Sequence, residues 1–340
     1  MLLLRKGHRN SDDFNLKYDD RHPDFIQFNI YQTILTSHLS LTPDCDMFAS
    51  NPPDHWPTYQ ALLRCLSPGP LLLSDTPDTK TDKTLLAKMT AKNRSGRLKA
   101  VKTDTPAQAL PSRWFWDNLQ GDQDGPAMLA FVRVPVAHGA IIGAWNCRKT
   151  STSSRAIDKI RTEDVEDALE VDQVDEEYAL FSFGHSERNS ERVAMVKPGS
   201  EVDFPLDLAE AECEVVVIAK VWKVNERKLA VLGSLDKFTT LAGIEVEVRE
   251  GELVISSCGV WLKREVGILL IRTRYASERL SVLVFGEQKP DVSFSVDGKP
   301  VLSASCVEIK REAWLCGIAI VADEDTTSGL DIWTITVHLD

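Results

Sequence analysis

The chain has 340 residues, 43% of them hydrophobic, and a formal net charge of −12. That length accommodates two domains, each with its own core, and the acidity argues against nucleic acid and anionic membrane surfaces as partners. No apolar run approaches the ~18 residues needed to cross a bilayer.

Seven cysteines, at positions 45, 65, 147, 213, 258, 306 and 316, are scattered without a C-x-x-C pair. They read mostly as buried thiols of a reducing compartment, with one or two bridges left open. The histidines form no H-x-x-x-H pair, so no metal site and no cofactor is expected. The apolar run 1–4 is short and is interrupted by Arg5 and Lys6, unlike a secretory signal. A soluble, cytoplasmic protein is the expectation.

In chain order, 1–4 predicts a strand, followed by the polar stretch Arg9-Asn10-Ser11-Asp12-Asp13-Phe14. Residues 24–39 place Phe25, Phe28, Ile30, Tyr31, Ile34, Leu35 and Leu39 near a 3.6 spacing, which predicts an amphipathic helix. A short strand at 39–41 leads into Pro43-Asp44-Cys45-Asp46-Met47-Phe48. Helix 57–66 has Pro57 in its first turn, strand 70–73 ends in Ser74-Asp75, and helix 83–89 turns Leu85, Leu86 and Met89 inward. This makes three βα units, each strand ending in aspartate-bearing residues.

Residues 93–125 read as a connector with one or two short strands, pinned by Trp114-Phe115-Trp116. Beyond 127 helices nearly vanish. Strands are predicted at 128–134, 140–146, 178–183, 215–224, 244–249, 252–256, 267–272, 280–285, 292–296, 319–321 and 332–337, with turns at Glu250-Gly251 and Asp297-Gly298. The acidic stretch 163–177 reads as a solvated connection. The elements predict α/β plus all-β: an α/β part over 1–110, then an antiparallel β-sandwich over 111–340.

Strand ends facing the next helix are where an α/β barrel presents its chemistry. Two adjacent carboxylates, Asp12 and Asp13, repel, which tends to keep a proton on one of them near neutrality. Arg9 is placed to orient a carboxylate or a substrate hydroxyl. The bland alternative is that Asp12 caps the following turn while Asp13 is simply solvated. Asp44 and Asp46, two residues apart on an extended segment, point to one side, for substrate contact or for holding the site together; Asp75 is a candidate of the same kind. Trp145, Trp222, Trp261, Trp314 and Trp333 could offer a sugar platform or fill the sandwich core.

The stretches RNSDDF, PDCDMF and SPGPLLLSDTPD, in this order, resemble the raffinose synthase / seed imbibition protein group of glycoside hydrolase family 36, whose members read RxSDDF, PDWDMF and GGPIYVSDxPG. Asp124-Gly125, Gly143-Ala144-Trp145-Asn146-Cys147 and Gly233-Ser234-Leu235-Asp236-Lys237-Phe238 are similar to later motifs of that group, so the resemblance runs from residue 9 to about 240. It implies the last three βα units of a (β/α)8 barrel followed by a β-sandwich. It also implies an α-galactoside oligosaccharide substrate, a retaining α-galactosidase or galactosyltransferase reaction, and Asp13 as general acid/base. Arg9, Asp12, Asp44, Asp46 and Asp75 are then the substrate-binding candidates.

Two departures stand out. The group's nucleophile is an aspartate in a K-x-D motif two strands earlier, and none precedes Asp13 here. Cys45 replaces a tryptophan that could pack on a sugar face. The expectation is therefore a chain with little activity alone, needing an N-terminal barrel half. The alternative is a non-catalytic remnant, or a carbohydrate-binding or structural β-sandwich module.

Overall fold

The computed structural model describes residues 7–9, 13–14, 21–39, 41–51, 56–78, 80–93, 95–113, 123–148, 154–182, 192–224, 227–257, 260–273, 277–286, 288–297, 299–301, 304–310, 313–320 and 333–339. The expected strand 1–4, Asp12 and the aromatic run 114–116 lie outside them.

The first part alternates strand and helix: β1 (Gly7–Arg9), α1 (Arg21–Thr36), β2 (Thr42–Asp44), β3 (Met47–Phe48), α2 (Pro57–Cys65), β4 (Leu72–Leu73) and α3 (Lys83–Met89). β1 pairs with β2 in parallel, Arg9 opposite Asp44, and β3 pairs with β4 in parallel, Phe48 opposite Leu73. Parallel neighbours need a crossover, and α1 and α2 supply them. Pro57 opens α2, where its missing N–H costs nothing, and the Asp82 carboxylate caps α3 by accepting from the Thr84 and Leu85 amides.

Helix α1 buries Phe25, Ile26 and Ile30 but leaves Phe28 and Leu35 exposed, and Leu39 is exposed just beyond it, so the apolar face is narrower than the spacing predicts. Its buried polar residues Asn29 and Thr33 bond within the helix. Asn29 Nδ2 donates to the Phe25 carbonyl, and Thr33 Oγ1 donates to that of Asn29. The strand expected at 39–41 forms three residues later, after a 3-10 turn at Ser37–Leu39.

A hairpin follows, β5 (Thr90–Lys92) with β6 (Leu98–Ala100), and then β7 (Gln108–Ala109), β8 (Met128–Val134), β9 (Gly139–Trp145) and β10 (Ala156–Arg161). Next come α4 (Thr162–Leu169), β11 (Tyr178–Ser182), β12 (Arg192–Val196), β13 (Asp203–Leu208), β14 (Cys213–Val224) and β15 (Arg227–Ser234). The last elements are β16 (Ile244–Ser257), β17 (Val260–Thr273), β18 (Ser277–Phe285), β19 (Val292–Val296), β20 (Lys299–Pro300), β21 (Ser305–Lys310), β22 (Ala313–Ile320) and β23 (Trp333–Leu339).

A large antiparallel sheet dominates. It runs β21-β22-β18-β15-β14-β9-β8-β7, with β11 also on β14 and β12 on β11. A second sheet runs β16-β17-β23-β19-β20, and β10 pairs with β13. The large sheet is buried on both faces. Along β14, Val215, Val217 and Ala219 point into a core shared with Ile26, Ile30 and Leu62 of the helices and with Ile271 and Phe294 of the second sheet. Val216 and Ile218 point into another core, with Ile160, Val165 and Phe204. Two-sided burial explains why β14 reads as an almost unbroken apolar run.

Two expectations about the later part need correction. Residues 163–177 are not all solvated connection, because α4 begins there and buries Val165, Ala168 and Leu169. Asp164 is buried too, gripped by Arg113 at 2.6 and 2.9 Å, while Arg113 also donates to Asp158 at 2.8 Å. Nor does the chain turn at Glu250-Gly251: β16 runs straight through, with Glu250 opposite Gly267. The turn at Asp297 does form, with φ +50 between the paired residues Val296 and Lys299.

Cys45, Cys65, Cys147 and Cys213 are buried thiols, whereas Cys306 and Cys316 face each other across β21 and β22 in a disulfide. Trp145 is fully buried; Trp222 and Trp314 are partly buried. The side chains of Trp261 and Trp333 are outside the described set.

Candidate active site

The later motifs prove to be staples rather than chemistry. Trp145 donates its indole N–H to the Tyr59 carbonyl at 3.1 Å, and Tyr59 Oη donates to the Asn146 carbonyl at 2.9 Å. Lys237 Nζ donates to the Ala87 carbonyl at 2.7 Å, and the Phe238 amide donates to that of Lys88 at 3.2 Å. These bonds fasten α2 and α3 to the large sheet and set the platform under the acidic loops.

At the C-terminal ends of the parallel strands, register places Arg9 beside Asp44. The Arg9 side chain and all of Asp12 lie outside the described residues. Asp13 is exposed, and the next residue is tightly held: the Phe14 amide donates to Asp46 Oδ2 at 2.8 Å. The Phe14 ring meets Phe25 at 4.8 Å and the edge of His22 at 5.2 Å. His22 in turn stacks flat on Trp56 at 4.7 Å.

Asp46 is 3% exposed and sits in the left-handed region at φ +58, a conformation that Asp tolerates better than most residues. Its Oδ1 accepts from the Met47 amide at 2.8 Å, and its own amide donates to Asp44 Oδ1 at 2.9 Å. β2 and β3 are thus one strand broken by a turn that two carboxylates hold in shape. Gly69 lets the SPGP segment close against this turn, since a Cβ there would lie 1.8 Å from the Pro43 carbonyl.

One strand further on, Asp75 accepts from the Ser50 amide at 2.6 Å and the Ser50 hydroxyl at 2.7 Å. Its partial burial opposes ionisation. The bonds from Ser50, Thr81 and Asn51 outweigh that and hold its carboxyl below the usual carboxylate range. Ser50 Oγ also accepts from the Asp82 amide, linking Asp75 to the start of α3.

The fold therefore brings the 13–14 segment to the Asp44–Asp46 turn and leaves Asp75 on the adjoining strand end. Beneath them lies a residue the sequence reading passes over, Arg64 of α2, which has no exposed surface. Burial lowers its guanidinium to about 10, still a cation at neutral pH. A lone arginine between Leu63 and Cys65 on an apolar helix is the signal that could have found it. Among the described residues no group of three or more His, Cys, Asp or Glu is placed to hold a metal. No helix among them is long and apolar enough to cross a membrane.

The sequence model of the family described as raffinose synthase or seed imbibition protein Sip1 matches residues 11–266, three quarters of the chain. That match defines a carbohydrate-active class of protein, and the chain belongs to the raffinose synthase or seed imbibition protein family. Membership ties it to oligosaccharide substrates and to galactosyl-transfer or glycosidase-type chemistry. No curated protein matches the chain.

Proposed function

We propose that the chain carries the acid/base half of a retaining α-galactoside-processing site of the family 36 type, with Asp13 as proton donor and acceptor. The observation that carries this reading is the exposure of Asp13 next to a Phe14 amide anchored on Asp46. Asp13 thus stands at the surface beside a hydrogen-bonded stretch of backbone. Arg9, Asp12 and Asp44 are assigned to substrate contact. Of the two roles open to Asp46 and Asp75, holding the loops fits their backbone-amide partners better.

In the first step the protonated Asp13 gives its proton to the glycosidic oxygen as the C1–O bond breaks and a carboxylate nucleophile bonds to C1. In the second, Asp13 takes a proton from water or a sugar hydroxyl as that oxygen attacks C1 and expels the nucleophile. We assign the nucleophile to polypeptide outside this chain, completing a (β/α)8 barrel of which 1–110 is a part, with 111–340 as the β domain. Met47, Leu72 and Leu73 on the parallel strands are 47%, 43% and 42% exposed. Parallel strands in a closed barrel are covered on both faces.

The test is an aryl α-galactoside assay of the purified chain beside Asp13→Asn. The expected result is trace turnover from both. Strong turnover that survives Asp13→Asn would overturn the acid/base assignment. Strong turnover that depends on Asp13 would overturn the external nucleophile. A chain that binds α-galactosides equally well with Asp13→Asn or Asp44→Asn would instead be a binding module of another site.

A further inference from the structure

We infer that Arg64 is the positioning residue of the acidic turn, a buried cation that fixes both the 13–14 segment and the Cys45–Met47 turn. The inference rests on the reading of Asp13 given above. Arg64 does not touch solvent, so it is not a substrate ligand.

A guanidinium buried in an apolar helix face is costly unless its donors are met. Here they converge on one turn. Nε donates to the Asp46 carbonyl at 3.2 Å, and Nη2 donates to those of Cys45 at 2.7 Å and Met47 at 2.8 Å. Nη1 is held by Gln60, through its carbonyl at 3.0 Å and Oε1 at 2.9 Å. The three consecutive carbonyls face one cation around Asp46, the residue at which φ is +58. With the carbonyls drawn inward, the Asp46 and Met47 amides turn to the carboxylates of Asp44 and Asp46.

The same guanidinium meets the other loop through its face. Its carbon lies 5.2 Å from the centroid of Phe14, 5.0 Å from that of Phe48 and 5.5 Å from that of Phe25, within the range of cation–π attraction. Arg64 thus holds Phe14 by its ring while Asp46, whose orientation Arg64 sets, holds Phe14 by its amide. Both grips end one residue from Asp13. Lysine cannot substitute, because it has no plane to stack and three donors on one nitrogen instead of a fork of five.

The test is native-state hydrogen exchange on Arg64→Lys and Arg64→Ala, reading the Phe14 and Met47 amides against Val217 and Ile218 of β14. In Arg64→Lys the two loop amides should lose protection by on the order of tenfold or more while the β14 amides hold. Millimolar guanidinium should restore protection in Arg64→Ala; if that variant does not fold, Arg64→Lys alone carries the test. Wild-type protection at Phe14 in Arg64→Lys would overturn the inference. An equal loss in β14 would also overturn it, since that is the mark of a residue serving only global stability. If the loop amides respond as expected but the wild-type chain binds no α-galactoside, the functional reading of Asp13 fails and the positioning role of Arg64 stands.

Discussion

The Phe14 amide donates to Asp46 Oδ2 across 2.8 Å, although the two residues are separated by 32 positions and a whole helix. This bond ties the 13–14 segment to the Asp44–Asp46 turn. Because Asp46 Oδ1 accepts from Met47 at the same time, the carboxylate must serve two donors at once.

Replacing Asp46 should therefore destabilise in a graded order. Asn keeps one acceptor and tolerates the left-handed backbone, and should cost about 1–2 kcal/mol. Ala loses both acceptors and adds backbone strain, and should cost about 2–4 kcal/mol. Urea unfolding with an unchanged m-value reads both. If Ala proved the milder substitution, the carboxylate would not be what shapes the turn.

Asp75 gives the site an acid sensitivity. Its folded-state carboxyl is depressed below the ordinary range by Ser50 and its neighbours. A depressed carboxylate contributes stability above the unfolded-state value of about 3.9, and that contribution disappears as pH falls through the folded value. Asp75→Asn should accordingly be less stable than wild type at pH 7, and the gap in melting temperature should close on acidification below about pH 4. Parallel stability profiles for the two proteins would refute this.

Arg113 is the keystone of the second core. Its guanidinium meets Asp158 at 2.8 Å and Asp164 at 2.6 Å, with all three side chains buried. Arg113→Met would strand two carboxylates and should cost about 3–5 kcal/mol. Adding Asp164→Asn should recover part of the loss, and a double-mutant cycle in denaturant measures the coupling.

Gly233 occupies φ +81, and a Cβ there would lie 2.2 Å from the Thr240 carbonyl. Gly233→Ala should cost about 2–4 kcal/mol through backbone strain and the clash. The damage should extend to the bonds from Lys237 and Phe238 to α3, seen as faster exchange of the Phe238 amide. An unchanged melting temperature would show that this turn is not a structural clamp.

Local chemistry made several elements legible. Pro57 and Asp82 mark the starts of α2 and α3, and the apolar runs of β8, β9 and β14 are evident without context. α4 was hidden because its acidic residues mask Val165, Ala168 and Leu169 at helical spacing. β13 alternates cleanly in burial but carries Pro205, which counts against a strand until its pairing with β10 alone is known. In β16, Glu250-Gly251 has the composition of a turn, and only pairing with β17 keeps it extended.

At the site, residue order alone identified the acidic motifs, their family and the candidates Asp13, Asp44, Asp46 and Asp75. It could not tell which carboxylate faces solvent and which binds amides. That depends on partners 25 and 32 residues away, brought within reach by the parallel pairing of β1 with β2 and of β3 with β4. Nor could it single out Arg64, whose importance comes from three carbonyls and three rings that meet only once α2 is buried beneath those strands. Composition and spacing select the residue types. The geometry of long-range hydrogen bonds, which no local pattern encodes, assigns their roles.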